Sequence, residues 1–278
     1  MRAPSGVVRW SQSGGAPLTD YAAVSPAPAA SPPPLQYIYD ERINQRLAFW
    51  QGDITALDVD AVTNTTDETL SECNAVSERI MHAAGPELKE EIITSAFVLE
   101  CGTGEVVVTP GYQLRSRHVL HTVCPNYLPQ YHTAAETSLH NCYKNVLSAA
   151  CEVGARSLAL CVVSTPRRNF PPDLAAHVAL STIRRYLETS AVPGVVVVCA
   201  CGVELSPLRA LAPLYFPRSA REALAAAARL PPPRADLHDR RIRIIHNPHS
   251  NSDSGQCANS HYNTTYMYIN ITNQTFVI

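Results

Sequence analysis

Phe49, Trp50, Gln51, Gly52, Asp53, Ile54, Thr55, Ala56, Leu57, Asp58, Val59, Asp60, Ala61, Val62, Thr63 and Asn64 form the stretch whose reading decides the fold. A short apolar run ends at Gly52, a turn carries Asp53 and Thr55, and a second apolar run ends at Asn64. Two strand ends therefore each deliver polar groups, and in α/β sheets ligands sit at the ends of strands.

Working outward, residues 76–96 place Ile80, Ala83, Ala84, Leu88 and Ile92 at helical spacing, broken by Gly85 and Pro86, which predicts two short helices or one kinked helix. Residues 105–109 and 118–123 are short and β-branched, as strands are. Thr133 and Glu136 have the spacing of a capping box, opening a helix with Leu139, Cys142, Val146 and Leu147 on one face, which Gly154 stops. Residues 158–163 and 195–201 are nearly continuous apolar runs, the form of central strands covered on both faces. A helix over 173–188 connects them, and an alanine-rich helix over 219–230 closes the series. Strand and helix alternate, so the expected fold class is α/β: a three-layer α/β/α domain with a mixed, mostly parallel sheet over residues 43–230. Residues 1–42, rich in Pro and Ala, are expected as a disordered arm, and residues 231–278, Pro-rich and then Asn/Ser/Thr-rich, as a flexible tail.

Composition sets outer bounds. Of the 278 residues 46% are hydrophobic and 17% charged, enough for an ordinary core, and a net charge of -2 removes global attraction to nucleic acid or anionic membrane. Any phosphate recognition must be local. The nine cysteines are odd in number, mostly inside apolar runs and without a CxxC pair, so they read as reduced, buried residues. With no signal-peptide pattern and no apolar run long enough to span a bilayer, the expected location is intracellular, cytoplasmic or nuclear, and not secreted. His118, His121, Cys124 and His132 fit no common zinc spacing, and His118 and His121 fall on opposite faces of a strand, so no metal is expected. Arg184 and Arg185 read as a solvated helix face.

The ordered series Gly52 to Thr55, Asp60 to Asn64, Ala83 to Pro86, Cys101 to Gly104, Thr109, Gly111, Tyr112 and His121 to Val123 resembles the successive signatures of the macro domain. The resemblance covers about residues 43–230. Residues 50–55, 85–90, 138–146 and 214–219 look like one type within that family, whose longer members carry a CRAL-TRIO-like domain after the macro domain. No such pattern follows here, and the resemblance fades after Ile244.

Macro domains bind ADP-ribose, some bind poly(ADP-ribose) or poly(A), and some hydrolyse ADP-ribosyl esters. The resemblance places Asp53 and Ile54 at the adenine contact and Asn64 on the ribose side. It implies two glycine-rich phosphate loops, because backbone amides must approach a pyrophosphate closely. Here neither is intact. Residues 72–78 carry Glu72, Asn74, Ser77 and Glu78 where the family has glycines and an aspartate, and Ser164, Thr165, Pro166, Arg167, Arg168, Asn169 and Phe170 stand for its Ser-Thr-Gly-x-x-Gly pattern. Pro166 removes an N–H and the freedom of glycine, while Arg167 and Arg168 offer guanidinium forks in exchange. Asp67 and Ser77 replace residues on which hydrolytic members depend, and a serine without a positioned base is a poor catalyst.

The expectation is therefore a degenerate, non-catalytic macro domain that binds an adenine nucleotide, an ADP-ribose derivative or poly(A) weakly, through Asp53, Ile54, Asn64, Ser164, Thr165, Arg167, Arg168 and Phe170, without a cofactor or metal. An ADP-ribosyl hydrolase and a protein-interaction scaffold are the alternatives.

Overall fold

The computed structural model describes residues 4, 6–13, 35–71, 73–95, 101–230 and 267–268. Its strands β1 (Leu47–Trp50), β2 (Ala61–Thr66), β3 (Val106–Pro110), β4 (His118–Val123), β5 (Ser157–Cys161), β6 (Val195–Cys199) and the two-residue β7 (Met267–Tyr268) form one sheet in the order β1-β6-β5-β2-β4-β3-β7. Every neighbouring pair runs parallel except β3 with β4. The helices are α1 (Glu41–Asn44), α2 (Ala75–Ala84), α3 (Pro86–Ser95), α4 (His132–Glu152), α5 (Pro172–Thr189), α6 (Gly202–Tyr215) and α7 (Ala220–Ala227).

Alternation along the strands divides the core in two. Leu120, Leu158, Leu160, Val196 and Val198 pack with Leu139 and Val146 of α4, Ile183 of α5 and Leu208 of α6. Val62, Val119, Ala159 and Val197 face the other way, onto Ile80 of α2 and Leu88 and Ile92 of α3. The result is the expected three-layer α/β/α arrangement. β5 and β6 are buried along nearly their whole length, which is why their sequences are continuously apolar.

Of the two expected alternatives the structure has two short helices, α2 and α3, divided at Gly85, at φ 86°. Other local expectations need correction. The Thr133 capping box does not form: α4 starts at His132, continuing a 3-10 turn over Pro129–Tyr131, and the Thr133 carbonyl accepts a hydrogen bond from the Thr137 hydroxyl. α6 was invisible to the periodicity because Pro207 and Pro213 lie inside it.

The N-terminal arm also departs from the expectation where it is described. Arg9 forms an antiparallel bridge to Ala48, covering the outer edge of β1. Trp10 is buried; its indole N–H donates to the Phe216 carbonyl at 2.7 Å and its ring meets Phe49 edge-on at 5.6 Å. An isolated tryptophan in a polar context carries no periodic signal, so this anchor could not be read from the sequence. Most of the remaining arm, and all of the tail except β7, lies outside the described residues.

Arg184 is not solvated. It is fully buried, donating to the Tyr215 carbonyl at 3.0 Å, the Ile38 carbonyl at 2.9 Å and Glu188 at 2.7 Å, beneath the Tyr37 and Phe216 rings. Helical spacing identified its face wrongly because the docked segment around Ile38 turns that face into an interior. Arg185 is exposed.

Candidate functional site

The parallel register brings the C-terminal ends of β1, β6, β5 and β2 to one edge of the sheet, and the loops that follow them form the candidate site. After β1, Asp53 caps the 3-10 turn Ile54–Ala56. Both of its hydrogen bonds, from Thr55 N at 3.0 Å and the Thr55 hydroxyl at 2.8 Å, fall on Oδ1. Oδ2 and the Ile54 backbone N–H have no hydrogen-bond partner among the described residues. The Ile54 side chain is 3% exposed and anchors the turn in the core.

The loop between β2 and α2 is closed on itself. Asn74 caps α2, its Oδ1 accepting from Val76 N and Ser77 N at 3.0 Å each, while its Nδ2 donates to the Thr65 carbonyl at 2.8 Å. The helix N-terminal amides that would hold an anion are thus already engaged. Asp67 accepts bonds from Thr69 N, Ser71 N and the hydroxyls of both residues, so its carboxylate organises the turn. Glu72 lies outside the described residues.

The loop between β5 and α5 is likewise tied inward. Thr165 and Pro166 carbonyls accept from Arg168 N and Asn169 N at 2.9 and 3.3 Å. Asn169 takes the left-handed conformation at φ 57°, doing at that position what the family's glycine does. Arg168 reaches across to β2 and donates to the Thr66 carbonyl at 3.1 Å, and its own carbonyl accepts from Tyr127 N at 2.8 Å. It is a strap between strand ends, whereas Arg167 is exposed and makes no hydrogen bond among the described residues.

Asn64 is fully buried on the α2/α3 face, with Nδ2 3.1 Å from His121 Nδ1. His121 Nε2 lies 2.9 Å from the Thr109 hydroxyl, so three strands are linked across the sheet. Burial pushes the His121 imidazole down to about 4, keeping it neutral at physiological pH. Phe170 packs on Tyr127 with ring centroids 5.1 Å apart, Ser164 is 8% exposed, and the Thr165 hydroxyl is buried without a partner among the described residues.

The structure therefore gathers Asp53 and Ile54 at one strand end and Ser164, Thr165, Arg167, Arg168 and Phe170 in one loop, but sets Asn64 in the interior. Burial raises the Cys161 and Cys199 thiols at this edge far above neutral pH, with Glu204 adding to the effect on Cys161. Among the described residues no three His, Cys, Asp or Glu side chains converge as metal ligands, and no helix is long and apolar enough to cross a membrane. Sequence reasoning missed the Asn74 cap, although an Asn just before a helical pattern is a readable signal. It also missed the Arg168 strap, which no local pattern announces.

Comparison with known proteins places these features. The macro domain family model matches residues 63–179. A GDAP2 homologue of Drosophila pseudoobscura pseudoobscura is 47% identical over 241 residues, 84% of this chain and 43% of that protein. The chain spans less than half the length of the curated relatives it matches. The crystal structure of the macro domain of ganglioside-induced differentiation-associated protein 2 (GDAP2) superposes with a TM-score of 0.66 at 36% identity, over 77% of this chain and 95% of that one. A mutant macrodomain of Oceanobacillus iheyensis, solved with ADPR, superposes with a TM-score of 0.54 at 33% identity, over 59% of this chain and 89% of that one.

Proposed function

Because the chain belongs to the macro domain family, we propose that it acts as a non-catalytic binding module for an adenine-bearing ligand, an ADP-ribose-related nucleotide or a poly(A)-type strand, held weakly. One observation carries this reading: the Asp53 Oδ2 acceptor and the Ile54 N–H donor stand on adjacent residues at the end of β1, both without partners among the described residues. An acceptor beside a donor matches the exocyclic amine and ring nitrogen of adenine.

The weakness follows from the phosphate side. The α2 amides serve Asn74, the loop amides of Arg168 and Asn169 serve Thr165 and Pro166, and Pro166 has none to give. A pyrophosphate would have to displace internal bonds or rely on the exposed Arg167. The non-catalytic part rests on Asp67 being occupied by its own turn and on the Ser77 hydroxyl making no hydrogen bond to a base among the described residues.

Calorimetry on the full chain with ADP-ribose, AMP and poly(A) tests the proposal. Binding is expected with Kd weaker than about 10 μM, worth less than roughly 7 kcal/mol, lost in Asp53→Ala. For poly(A), Arg167→Ala should lower both affinity and its salt dependence. No heat and no thermal shift at millimolar ligand overturns the binding reading, and release of ADP-ribose from a modified protein overturns its non-catalytic part.

A further inference from the structure

The turn that carries Asp53 and Ile54 follows directly on Trp50, the last residue of β1. Alternation along β1 sends Phe49 into the core under α4, α5 and α6, and Trp50 to the α2/α3 face, where its half-buried side chain packs against the cluster that holds Ile54. The Trp50 backbone is fixed. It pairs in register with Cys199 of β6, and its carbonyl accepts from Ala200 N at 3.1 Å.

From this fixed base the indole reaches forward along the chain to Gly52. A Cβ at position 52 would stand 2.8 Å from Trp50 Nε1, 3.1 Å from Cε2 and 3.3 Å from Cζ2, closer than non-bonded atoms pack. The chain leaving β1 therefore rests on the ring at the one residue without a side chain, and the ring sets where the next two residues begin. Those two are Asp53 and Ile54. Gly52 itself makes no hydrogen bond among the described residues, so its contact with the indole is not duplicated by a polar tie.

The indole carries a cost. Its Nε1–H is buried and has no acceptor among the described residues, an unmet donor that a phenyl ring would not have. Stability alone does not account for a tryptophan here; the length of its ring system, which brings the far edge against Gly52, does.

We propose that Trp50 is a positioning residue for the adenine side of the site: through Gly52 it holds the Asp53 carboxylate and the Ile54 N–H in the relative placement that lets both meet one adenine edge. This rests on the adenine reading given above. Trp50 acts only through Gly52, its own N–H being closed off from solvent.

The test combines AMP titration of the full chain, thermal unfolding, and amide exchange at Thr55, whose N–H is bonded to Asp53 and reports on the turn with no nucleotide present. Trp50→Phe keeps an aromatic anchor in β1 and removes both the far ring edge and the unmet donor. Its melting temperature should hold or rise, while AMP affinity falls about three- to tenfold and Thr55 exchange quickens by about threefold or more. Gly52→Ala should lower AMP affinity by more than about tenfold. Combining it with Trp50→Phe, which vacates the space the new methyl needs, should recover part of that loss. Affinity and exchange both within about twofold of wild type in the two single variants overturn the proposal. So does affinity that falls only in step with the melting temperature, which would make Trp50 an ordinary packing residue. No AMP binding by the wild type at millimolar concentration overturns the adenine reading and removes the ligand from this role, whereas quicker Thr55 exchange in Trp50→Phe would still show the indole holding the turn.

Discussion

At the N-terminal end of the parallel strands, Asp60 accepts hydrogen bonds from Arg156 N at 2.9 Å, Ser157 N and the Ser157 hydroxyl at 3.0 Å each, and Arg117 at 2.6 Å. Its own carbonyl accepts from Arg117 N and His118 N, so the starts of β2, β4 and β5 are fastened at one point. At the opposite end Trp50 Nε1, Asn64 Oδ1, Thr66 Oγ1 and Thr165 Oγ1 are buried with no partner among the described residues. A junction such as Asp60, whose polar groups are paired, serves stability, although Arg46 Nε just before β1 at the same end is buried without a partner among the described residues. An end that carries unpaired buried polar groups is under a standing cost, and the candidate site lies at that end.

Breaking the Asp60 junction should have the largest effect. Asp60→Ala strands two backbone amides and is expected to cost about 2–4 kcal/mol, read by denaturant unfolding, with nucleotide titrations unchanged. Burial by itself would raise the Asp60 pKa, but the bonds from Arg117, Ser157 and Arg156 outweigh it and the net shift is downward. A carboxyl depressed in the folded state contributes stability above its unfolded pKa, near about 3.9, and loses it as pH falls through the lower folded value. The stability gap between the wild type and Asp60→Asn should therefore be constant above about pH 5 and shrink below about pH 4. A gap that is flat to pH 2 would show that the charge contributes nothing.

At the ligand end, Asn74→Ala exchanges stability for binding capacity. Loss of the cap should cost about 1 kcal/mol, while Val76 N and Ser77 N become free to meet an anion. ADP-ribose affinity should rise by about three- to tenfold. Equal or weaker binding would mean that these amides are not the missing phosphate donors, and the contrast between the two ends would lose its functional half.

The sequence made the layers legible because β5 and β6 are continuous apolar runs and α5 has a clear periodic face, signals written along a single element. Asp53 was legible for a related reason: it caps a turn three residues after a strand. What escaped was non-local. Arg168 looked like a phosphate donor, since two adjacent arginines in a loop say nothing of the Thr66 carbonyl across the groove. Arg184 looked solvated because the segment that buries it lies about 146 residues away in sequence. Asn64 carried the right motif, yet its burial follows from the pairing of β2 with β4 and from the α2/α3 layer above it, neither of which a tetrapeptide encodes.

The smallest expected effect is also the most direct check on the comparison. Thr66 is fully buried at the end of β2, its hydroxyl without a partner among the described residues, while its carbonyl holds Arg168. Thr66→Val keeps the shape and the carbonyl and removes only the hydroxyl. If the polar group is uncompensated, the change should be neutral or stabilising by up to about 1 kcal/mol, because an unmet desolvation cost disappears. A loss of more than about 1 kcal/mol would mean that the hydroxyl has a bound water or another partner in solution. The ligand end of the sheet would then be as well satisfied as the Asp60 end, and the unpaired groups could no longer be what distinguishes the site.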